Sequence, residues 1–390
     1  MISILLTAML LVLATLTLPA PSKLLIWRPS VLVALFSLLS LITGESLYGL
    51  SQLSELTLFL FVGAGFCFYL GDLSSLALNG RRAADRRGEG SAVLLVIDSR
   101  MKMALLASGF IGFLITVYLL VTRGLLSGDA IGYALRYAHM YGEESDYGAF
   151  HFLVAAQALG YFFILSNNRL RRRVGWILVL ACLLGSIVKM ERTSVLMLLS
   201  SVAFLVHYRT RNTKLLLYPI LLSVFLFFLI AQLTFKADTV VGNFFLVYLG
   251  YGIKAFDEYI VKLPGVDGGS NVFLLIYKLL GRGRGAESIN IEAGEFNVFS
   301  YIQAPYMDFG VMGVVLITYL FGLIWGMVFN CIRFSAFAVL MYASMIYPAI
   351  VVFYAWQFSL TTYIYLFIVY LAIFGFNSRV PVALRSRAAV

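Results

Sequence analysis

The sequence predicts an all-α polytopic integral membrane protein with about eleven transmembrane helices and a large external loop that contains short interfacial helices. The first observation is composition, because 61% of the residues are hydrophobic and only 12% are charged, against about 25% charged in soluble domains. The second is length, since several apolar runs exceed the roughly 18 residues that a helix needs to cross a bilayer. The third is charge, since the basic residues collect at the ends of these runs.

The spans follow one another along a single membrane domain, residues 1–390. They are predicted at 2–18, 30–44, 56–73, 103–123, 148–166, 174–190, 193–208, 215–233, 306–332, 335–356 and 358–376. The first has no Lys or Arg before it, so we interpret it as a retained span and not as a signal peptide. A large loop at 234–305 separates the eighth span from the ninth.

The charge pattern predicts the orientation of these spans. If they alternate in direction, one side of the membrane receives 19 of the 29 Lys and Arg residues. Six of the other ten lie in the 234–305 loop, and long loops obey the positive-inside rule poorly. The basic side is therefore predicted to be cytoplasmic, with the N-terminus and the long loop outside and the C-terminus inside. Fifteen of the 19 acidic residues then fall outside, which fits either a site that handles protons and phosphate or plain solvation of the loops.

Partners and cofactors are limited by the same composition. The formal net charge is +10, but its location at span ends favours anionic membrane lipids over nucleic acid. Cys67, Cys182 and Cys331 all lie inside apolar runs, which disfavours disulfides and zinc clusters. We therefore expect no cofactor and no metal.

Two outer segments carry candidate residues for binding. Residues 123–147 contain Arg136, His139, four tyrosines and an acidic patch at 143–146. Tyrosines beside polar groups suit a sugar ring, although an interfacial aromatic belt explains them equally well. The acids lack ordered ligand spacing, so a solvated cluster is preferred to a cation site. Between two spans lie Lys189 and Arg192, placed to meet a lipid-linked phosphate; the alternative is a tight interfacial turn.

The long loop has two apolar stretches, 241–253 and 271–280, each too short to span and each suited to an interfacial helix. Lys254 follows the first stretch, and Gly-flanked Arg282 and Arg284 follow the second. Glycines beside arginines suit a pyrophosphate, but a flexible hinge explains the glycines alone.

Carboxylates at the end of this loop are candidates for a general base. Glu292 and Glu295 are three residues apart and would share one face of a short helix. Asp308 lies just inside the predicted start of a span, where an unpaired carboxylate is costly. It is either functional or a cap for the helix N-terminus.

The stretch 297–310, Asn-Val-Phe-Ser-Tyr-Ile-Gln-Ala-Pro-Tyr-Met-Asp-Phe-Gly, resembles the segment after the large periplasmic loop of bacterial oligosaccharide repeat-unit polymerases, the O-antigen polymerase family. The Glu191-Arg192-Thr193 turn and the late position of the long loop also fit that family. The resemblance implies a GT-C-like fold in the bacterial inner membrane. It also implies metal-independent, inverting glycosyl transfer between undecaprenyl-pyrophosphate-linked oligosaccharides at the periplasmic face, with a chain-length regulator as a possible partner.

The resemblance assigns roles to the candidates. Cations stabilise the departing pyrophosphate, and a carboxylate activates the acceptor hydroxyl. The motif itself carries over Asn297, Tyr306, Asp308 and Gly310. The expected catalytic residues are Glu292, Glu295, Asp308 and Arg192, and the expected substrate-binding residues are Arg136, His139, Lys189, Lys254, Arg282, Arg284, Asn297, Tyr301 and Tyr306.

Two alternatives stay open. O-antigen ligases resemble the polymerases but use a histidine of the large loop, and residues 234–305 contain no histidine. A flippase for the same lipid-linked sugars should place charged or broken spans near the midplane, whereas these spans are largely free of charge.

Overall fold

The structure, a computed structural model, describes residues 22–49, 53–85, 97–126, 131, 134–135, 151–190, 192–233, 249–260, 271–273, 300–352 and 361–377. Within these ranges the secondary structure is helical, without β-strands. The helices are α1 (Pro29–Tyr48), α2 (Glu55–Asp85), α3 (Ser99–Leu119), α4 (His151–Leu165), α5 (Arg169–Val188), α6 (Arg192–Thr210), α7 (Leu217–Leu233), α8 (Gln303–Cys331), α9 (Ala336–Met345), α10 (Tyr347–Ile350) and α11 (Thr361–Asn377). We call residues 249–260 the loop helix; it ends in a π-helical turn at Phe256–Ile260.

Helix ends follow local sequence signals. Pro29 occupies the first turn of α1, where its missing N–H costs nothing. The same helix stops at Gly49, which adopts φ 62° and donates its N–H to the Glu45 carbonyl at 3.1 Å. The Asp98 carboxylate accepts from the first backbone N–H groups of α3, and the Asn168 amide does the same for α5.

Among the described residues, five helical stretches are long and apolar enough to cross a membrane: Pro29–Leu47, Glu55–Leu78, Ser99–Leu125, Thr213–Ile230 and Gln303–Cys331. The third continues α3 through a π-helical turn, Leu120–Leu125, and the fourth begins in a 3₁₀ turn before α7, Thr213–Leu216. The outer faces of these stretches carry large apolar side chains. In α3, for example, Met103, Phe110 and Leu114 are 60%, 62% and 51% exposed. A folded protein in water rarely leaves so much apolar surface uncovered, so these faces suit lipid. The chain is a helical protein built for a membrane.

The prediction of a continuous span at 335–356 is wrong. Helix α9 ends at Met345, and a four-residue helix, α10, begins at Tyr347. The break follows from Pro348, which lies in the first turn of α10 and has no N–H to donate one turn back. The prediction of a span at 2–18 falls outside the described residues.

The chain divides into two compact units. The first contains the described residues within Met1–Gly90, Val240–Arg333 and Met345–Thr361, and the second contains those within Ser91–Thr239, Phe334–Ser344 and Thr362–Val390. The expectation of one membrane domain stays a prediction.

In the first unit, α2 and α8 run in the same direction and touch backbone to backbone. A Cβ on Gly322 of α8 would lie 2.1 Å from the Phe68 carbonyl oxygen, and one on Gly71 would lie 2.1 Å from the Tyr319 carbonyl oxygen. Only glycine permits so close an approach. Trp325 adds a buried hydrogen bond, from its indole N–H to the Met345 carbonyl at 2.7 Å.

A buried ion pair joins α1 to α2. The Arg28 guanidinium donates to both Asp72 oxygens, at 2.9 and 2.8 Å, and both side chains are fully buried. The Ser30 hydroxyl adds a third bond to Asp72 at 2.5 Å, and the Arg28 guanidinium also lies 5.6 Å from the centre of the Phe329 ring. The start of α1, helix α2 and helix α8 therefore meet around this ion pair, whose two charges neutralise each other. Helix α1 runs antiparallel to α2.

The second unit is a bundle built around α3 to α7. Gly109 and Thr116 of α3 face Leu178 and Gly185 of α5, so these two helices are parallel. Glycines also set the α4–α5 contact, because a Cβ on Gly175 would lie 2.9 Å from the Gly160 oxygen. Helix α4 runs opposite to α5, and after the tight turn at 189–190 the chain reverses again into α6. The rings of α9 and α11 pack onto this bundle, as in the Phe204–Tyr342 and Phe162–Phe374 pairs.

Candidate functional site

The loop helix is seated against the end of α1. A Cβ on Gly250 would lie 2.8 Å from both the Cα and the N of Gly44, so the two backbones touch. Ile253, Ala255 and Phe256 are completely buried beneath this contact. The predicted apolar stretch 241–253 is thus helical in its described part, and the helical conformation extends to residue 260.

Asp257 fastens the loop helix to the start of α2. Its Oδ1 accepts from the Ser54 N–H at 3.2 Å, from the Thr57 hydroxyl at 2.7 Å and from the Ser54 hydroxyl. The Ser54 hydroxyl in turn accepts from the Thr57 N–H at 3.2 Å. A carboxylate at a helix N-terminus is favoured by the helix dipole, so Asp257 acts as a long-range cap.

Asp308 makes the second fastening, to residues 271–273. The Asn271 N–H lies 3.1 Å from each Asp308 oxygen, and the Asn271 side-chain amide donates at 2.8 Å. The Val272 N–H donates to Oδ2 at 2.6 Å. Asp308 is fully buried, and Val272 packs with Ala304 and Ile317 just beside it.

The alternative in which Asp308 caps its own helix is wrong. Helix α8 begins at Gln303, so Asp308 lies in its second turn, and its carboxylate accepts from another segment. The start of α8 is displaced toward the N-terminus from the predicted residue 306, which moves Asp308 from the helix end into the helix.

The described part of the 297–310 stretch contains a bend in α8. Gly310 has φ 63° and ψ −150°, a conformation that side chains other than glycine adopt only under strain. Three residues later, a Cβ on Gly313 would lie 2.1 Å from the Pro305 carbonyl oxygen. The bend therefore separates a short first segment, which carries Asp308, from the long apolar remainder of α8.

Tyr301 and Tyr306 pack inside the first unit. The Tyr301 hydroxyl donates to the Phe61 carbonyl at 3.3 Å, its N–H donates to the Val352 carbonyl at 2.9 Å, and its side chain is completely buried. Burial raises the pKa of Tyr301, so its phenol is neutral. The Tyr306 ring stands edge-on to Phe256, 5.3 Å between centres. These contacts favour structural roles, and substrate binding by either tyrosine stays a prediction.

Lys254 lies on the exposed side of the loop helix. Its Nζ is 3.6 Å from a Glu258 oxygen, one turn further on. Both side chains are about one-third exposed, at 32% and 40%, and exposed pairs of this type contribute little to stability. Lys254 thus lies, partly exposed, on the same helix that Asp257 fastens, and a role in binding an anion stays a prediction.

In the second unit, Lys189 and Arg192 flank a tight turn. Met190 is buried and adopts φ 52°, a left-handed conformation that is uncommon for a residue with a side chain. Its N–H donates to the Ile187 carbonyl at 2.8 Å. The Arg192 guanidinium lies 5.3 Å from the centre of the Phe227 ring, a cation–π contact with α7. Lys189 and Arg192 are both half-buried on either side of a tight turn, and their binding of a lipid-linked phosphate stays a prediction.

The other predicted site residues lie outside the described residues: Arg136, His139, Arg282, Arg284, Glu292, Glu295 and Asn297. Among the described residues, no group of three or more His, Cys, Asp or Glu side chains is placed to hold a metal ion.

Sequence reasoning missed the partners of the buried acids. Ser54 before an apolar run is a recognisable N-cap signal, and it could have suggested an acid nearby. Nothing local pointed to Asn271 as the partner of Asp308, or to Arg28 as the partner of Asp72. Comparison with known proteins adds no relative: the chain matches no protein-family model, no curated protein and no solved structure.

Proposed function

We propose that this protein polymerises lipid-linked oligosaccharide repeat units at the outer face of a bacterial inner membrane, as an inverting, metal-independent glycosyltransferase. The observation that carries the proposal is the segment 300–310. In this segment, residues of the polymerase-like motif make the contacts that hold parts of the long loop in place. There Asp308 fastens Asn271 and Val272, and the loop helix packs beside Tyr306. A large loop that must present substrate groups needs such fixed points.

The proposed reaction needs a base and an anion site. The acceptor hydroxyl oxygen attacks the anomeric carbon of the donor, and the bond from that carbon to the pyrophosphate oxygen breaks. The hydroxyl proton passes to a carboxylate, and cations stabilise the departing pyrophosphate. Undecaprenyl pyrophosphate is the lipid that the family resemblance implies.

Among the three candidate bases, the contacts of Asp308 argue against that residue, so we propose Glu292 or Glu295 as the base. Both Asp308 oxygens already accept backbone or amide N–H groups, and the side chain is fully buried. A base must reach the proton that it removes. We therefore assign Asp308 the role of a positioning residue for the loop.

For the anion site, Arg192 is the described candidate. Its guanidinium packs over the Phe227 ring, which restricts the conformations of the side chain before a ligand binds. Its planar fork suits two phosphate oxygens at once. Lys189, on the other side of the turn, adds a second positive charge, while Arg282 and Arg284 are candidates from the long loop.

One observation bears on the flippase alternative. The Arg28–Asp72 pair is a buried charge pair of the kind found in transporters. However, Asp72 lies six residues before Leu78, the end of the span, or about 9 Å along the helix. The pair therefore lies about halfway between the end of the span and its middle, where transporters bind substrate. Both side chains are fully buried and bonded to each other, which favours anchoring over transport, and we keep the enzyme as the proposal.

Substitution in glycan-producing cells tests this function. We expect Arg192→Ala to remove long polymer from a gel ladder and to leave single repeat units, with Arg282→Ala and Arg284→Ala acting in the same direction. Arg192→Lys should restore part of the ladder, because it keeps the charge and loses the fork. Arg123→Ala, an exposed arginine of the same unit, is the matched control and should leave the ladder unchanged.

The outcomes separate the candidate functions. Long polymer in Arg192→Ala, Arg282→Ala and Arg284→Ala at normal protein levels would overturn the phosphate role. Loss of all surface glycan with lipid-linked units held on the cytoplasmic face would identify a flippase. Normal polymer that is not transferred to its final acceptor would identify a ligase.

A further inference from the structure

One end of the second unit collects positive charge. Helices α3 and α5 begin there, α4 and α6 end there, and the turn into α7 lies there as well. The cations at this end, which we call the basic end, are Arg100, Lys102, Arg169, Arg171, Arg172, Arg173, Arg209, Arg211 and Lys214. Among the described residues of this unit, the opposite end has Arg123, Lys189 and Arg192.

Part of the basic end is rigid. The Arg209 guanidinium donates from Nη1 to the carbonyls of Ile164 and Ser166, at 2.6 and 3.1 Å, and so closes the C-terminus of α4. Burial, and next the positive charge of Arg172, lower the pKa of Arg209. The Arg211 guanidinium stacks 4.7 Å from the centre of the Tyr208 ring. The backbone of Arg211 has φ 55°, an uncommon conformation. This conformation at the turn sets the direction of the residue.

Acidic residues do not balance this charge within the described part of the unit. Asp98 is the one acid there, and its carboxylate accepts from the Arg100 and Met101 N–H groups at the start of α3. Arg169, Arg171 and Arg173 are exposed in the first turn of α5. Cations are unfavourable at a helix N-terminus because of the helix dipole, so folding alone does not explain this cluster.

Apolar and aromatic side chains adjoin the basic end. Trp176 follows Arg173 by about one helical turn and is 44% exposed, and Leu170 is 69% exposed. At the start of α7, Tyr218 follows Lys214 by one turn and is 70% exposed. Trp and Tyr collect at the level of lipid head groups, and long basic side chains extend from that level toward the phosphates.

We propose that the basic end is a docking surface for the head groups of anionic phospholipids. The occupant carries a phosphate diester and a net negative charge, as phosphatidylglycerol does. Guanidinium groups of α5 contact the phosphate oxygens, while Trp176 and Tyr218 lie beside the glycerol and the upper acyl chains. The inference depends on charge and exposure in this unit alone, so it stands whatever reaction the protein catalyses.

The test uses the full-length protein in neutral detergent. Thermal unfolding is followed while phosphatidylglycerol or phosphatidylcholine is added. We expect phosphatidylglycerol to raise the Tm and phosphatidylcholine to have much less effect. For the combined variant Arg169→Gln, Arg171→Gln, Arg173→Gln, the half-maximal lipid concentration should rise about fivefold for each cation removed. Raising the salt concentration should weaken the effect in the wild type.

Three controls make the result decisive. Arg123→Gln, at the opposite end of the unit, should respond to phosphatidylglycerol like the wild type. A second variant, Arg211→Gln with Lys214→Gln, repeats the test away from α5 in case the first folds poorly. Equal effects of the two lipids, or an unchanged response in both variants, would overturn the proposal. So would inorganic phosphate alone reproducing the full rise in Tm, because the surface would then be a phosphate site.

Discussion

At the scale of single residues, two carboxylates perform the same physical task. Asp257 accepts from the start of α2, and Asp308 accepts from Asn271 and Val272. Each satisfies N–H or O–H groups that would otherwise be costly to bury. Asp308 belongs to the 297–310 stretch, and Asp257 belongs to the long loop before it. Their common effect is to fix two points of that loop on helices of membrane length.

The Asp308 fastening predicts a local effect of Asp308→Asn. An amide replaces one acceptor oxygen by a donor, which then faces the N–H of Asn271 or Val272. The lost hydrogen bond should cost about 1–3 kcal/mol. We expect hydrogen–deuterium exchange of the Val272 amide to speed up by about tenfold or more, as measured on a peptide that covers 271–273.

Asp257→Asn is the control for that experiment. It should release the amide of Ser54 at the start of α2 and leave Val272 protected. If Asp308→Asn leaves Val272 exchange at the wild-type rate, Asp308 does not hold this segment, and its role as a positioning residue fails.

At the scale of helices, the contact between α2 and α8 depends on the absence of side chains. Gly71 and Gly322 each meet a carbonyl oxygen of the other helix, and Gly326 lies against Asp72. Packing of this kind replaces the hydrophobic effect, which is weak between helices in lipid. The same residues bring Asp72 beside α8 and so help to bury the ion pair.

The matched glycines Gly322 and Gly63 give a prediction for this contact. Gly322→Ala should lower the free energy of unfolding by about 1–3 kcal/mol, because its Cβ would lie 2.1 Å from the Phe68 oxygen. Gly63→Ala has nothing within 4 Å of the new Cβ. It should be neutral or stabilising by up to about 1 kcal/mol. Equal stabilities of the two variants in detergent would contradict the close packing of α2 on α8.

Hydropathy predicted well those helices that are each defined by one apolar stretch of sequence. Helices α1 to α8 lie at the predicted spans, although α2 extends to Asp85 and α8 starts at Gln303. The span at 335–356 failed because Pro348 outweighs apolar composition. The hydrogen bonds that hold the candidate site together could not be predicted from the sequence. Asp308 meets Asn271, and Asp257 meets Ser54, across long sequence separations that no local pattern encodes.

At the scale of the molecule, helix directions within each unit agree with alternating spans. In the first unit α1 opposes α2, and α2 is parallel to α8; in the second unit α3 and α5 are parallel and oppose α4 and α6. The ends that alternation makes cytoplasmic include the basic end. The positive-inside rule then gives the same orientation that the loops of the sequence predict.

Thiol labelling tests that orientation. Leu126→Cys and Asn167→Cys place reactive groups at exposed positions on opposite ends of the second unit. In intact spheroplasts, a membrane-impermeant reagent should label Leu126→Cys at once and Asn167→Cys only after lysis. The wild type, whose cysteines are buried or half-buried, serves as the blank. The reverse pattern would place the long loop in the cytoplasm and remove the basis for a periplasmic reaction.

The Arg28–Asp72 pair also constrains how the chain is made. A helix that left the translocation machinery alone with Asp72 would bring an uncompensated charge into lipid. Arg28 precedes it by 44 residues, so its neutralising partner has already been synthesised when α2 emerges. The charge cost therefore favours co-insertion of α1 and α2 as one hairpin. Helix α8 packs against this hairpin after some two hundred further residues have been translated. We therefore expect the first unit to assemble in two steps, in which α1 and α2 insert with their charge pair neutralised before α8 packs against them.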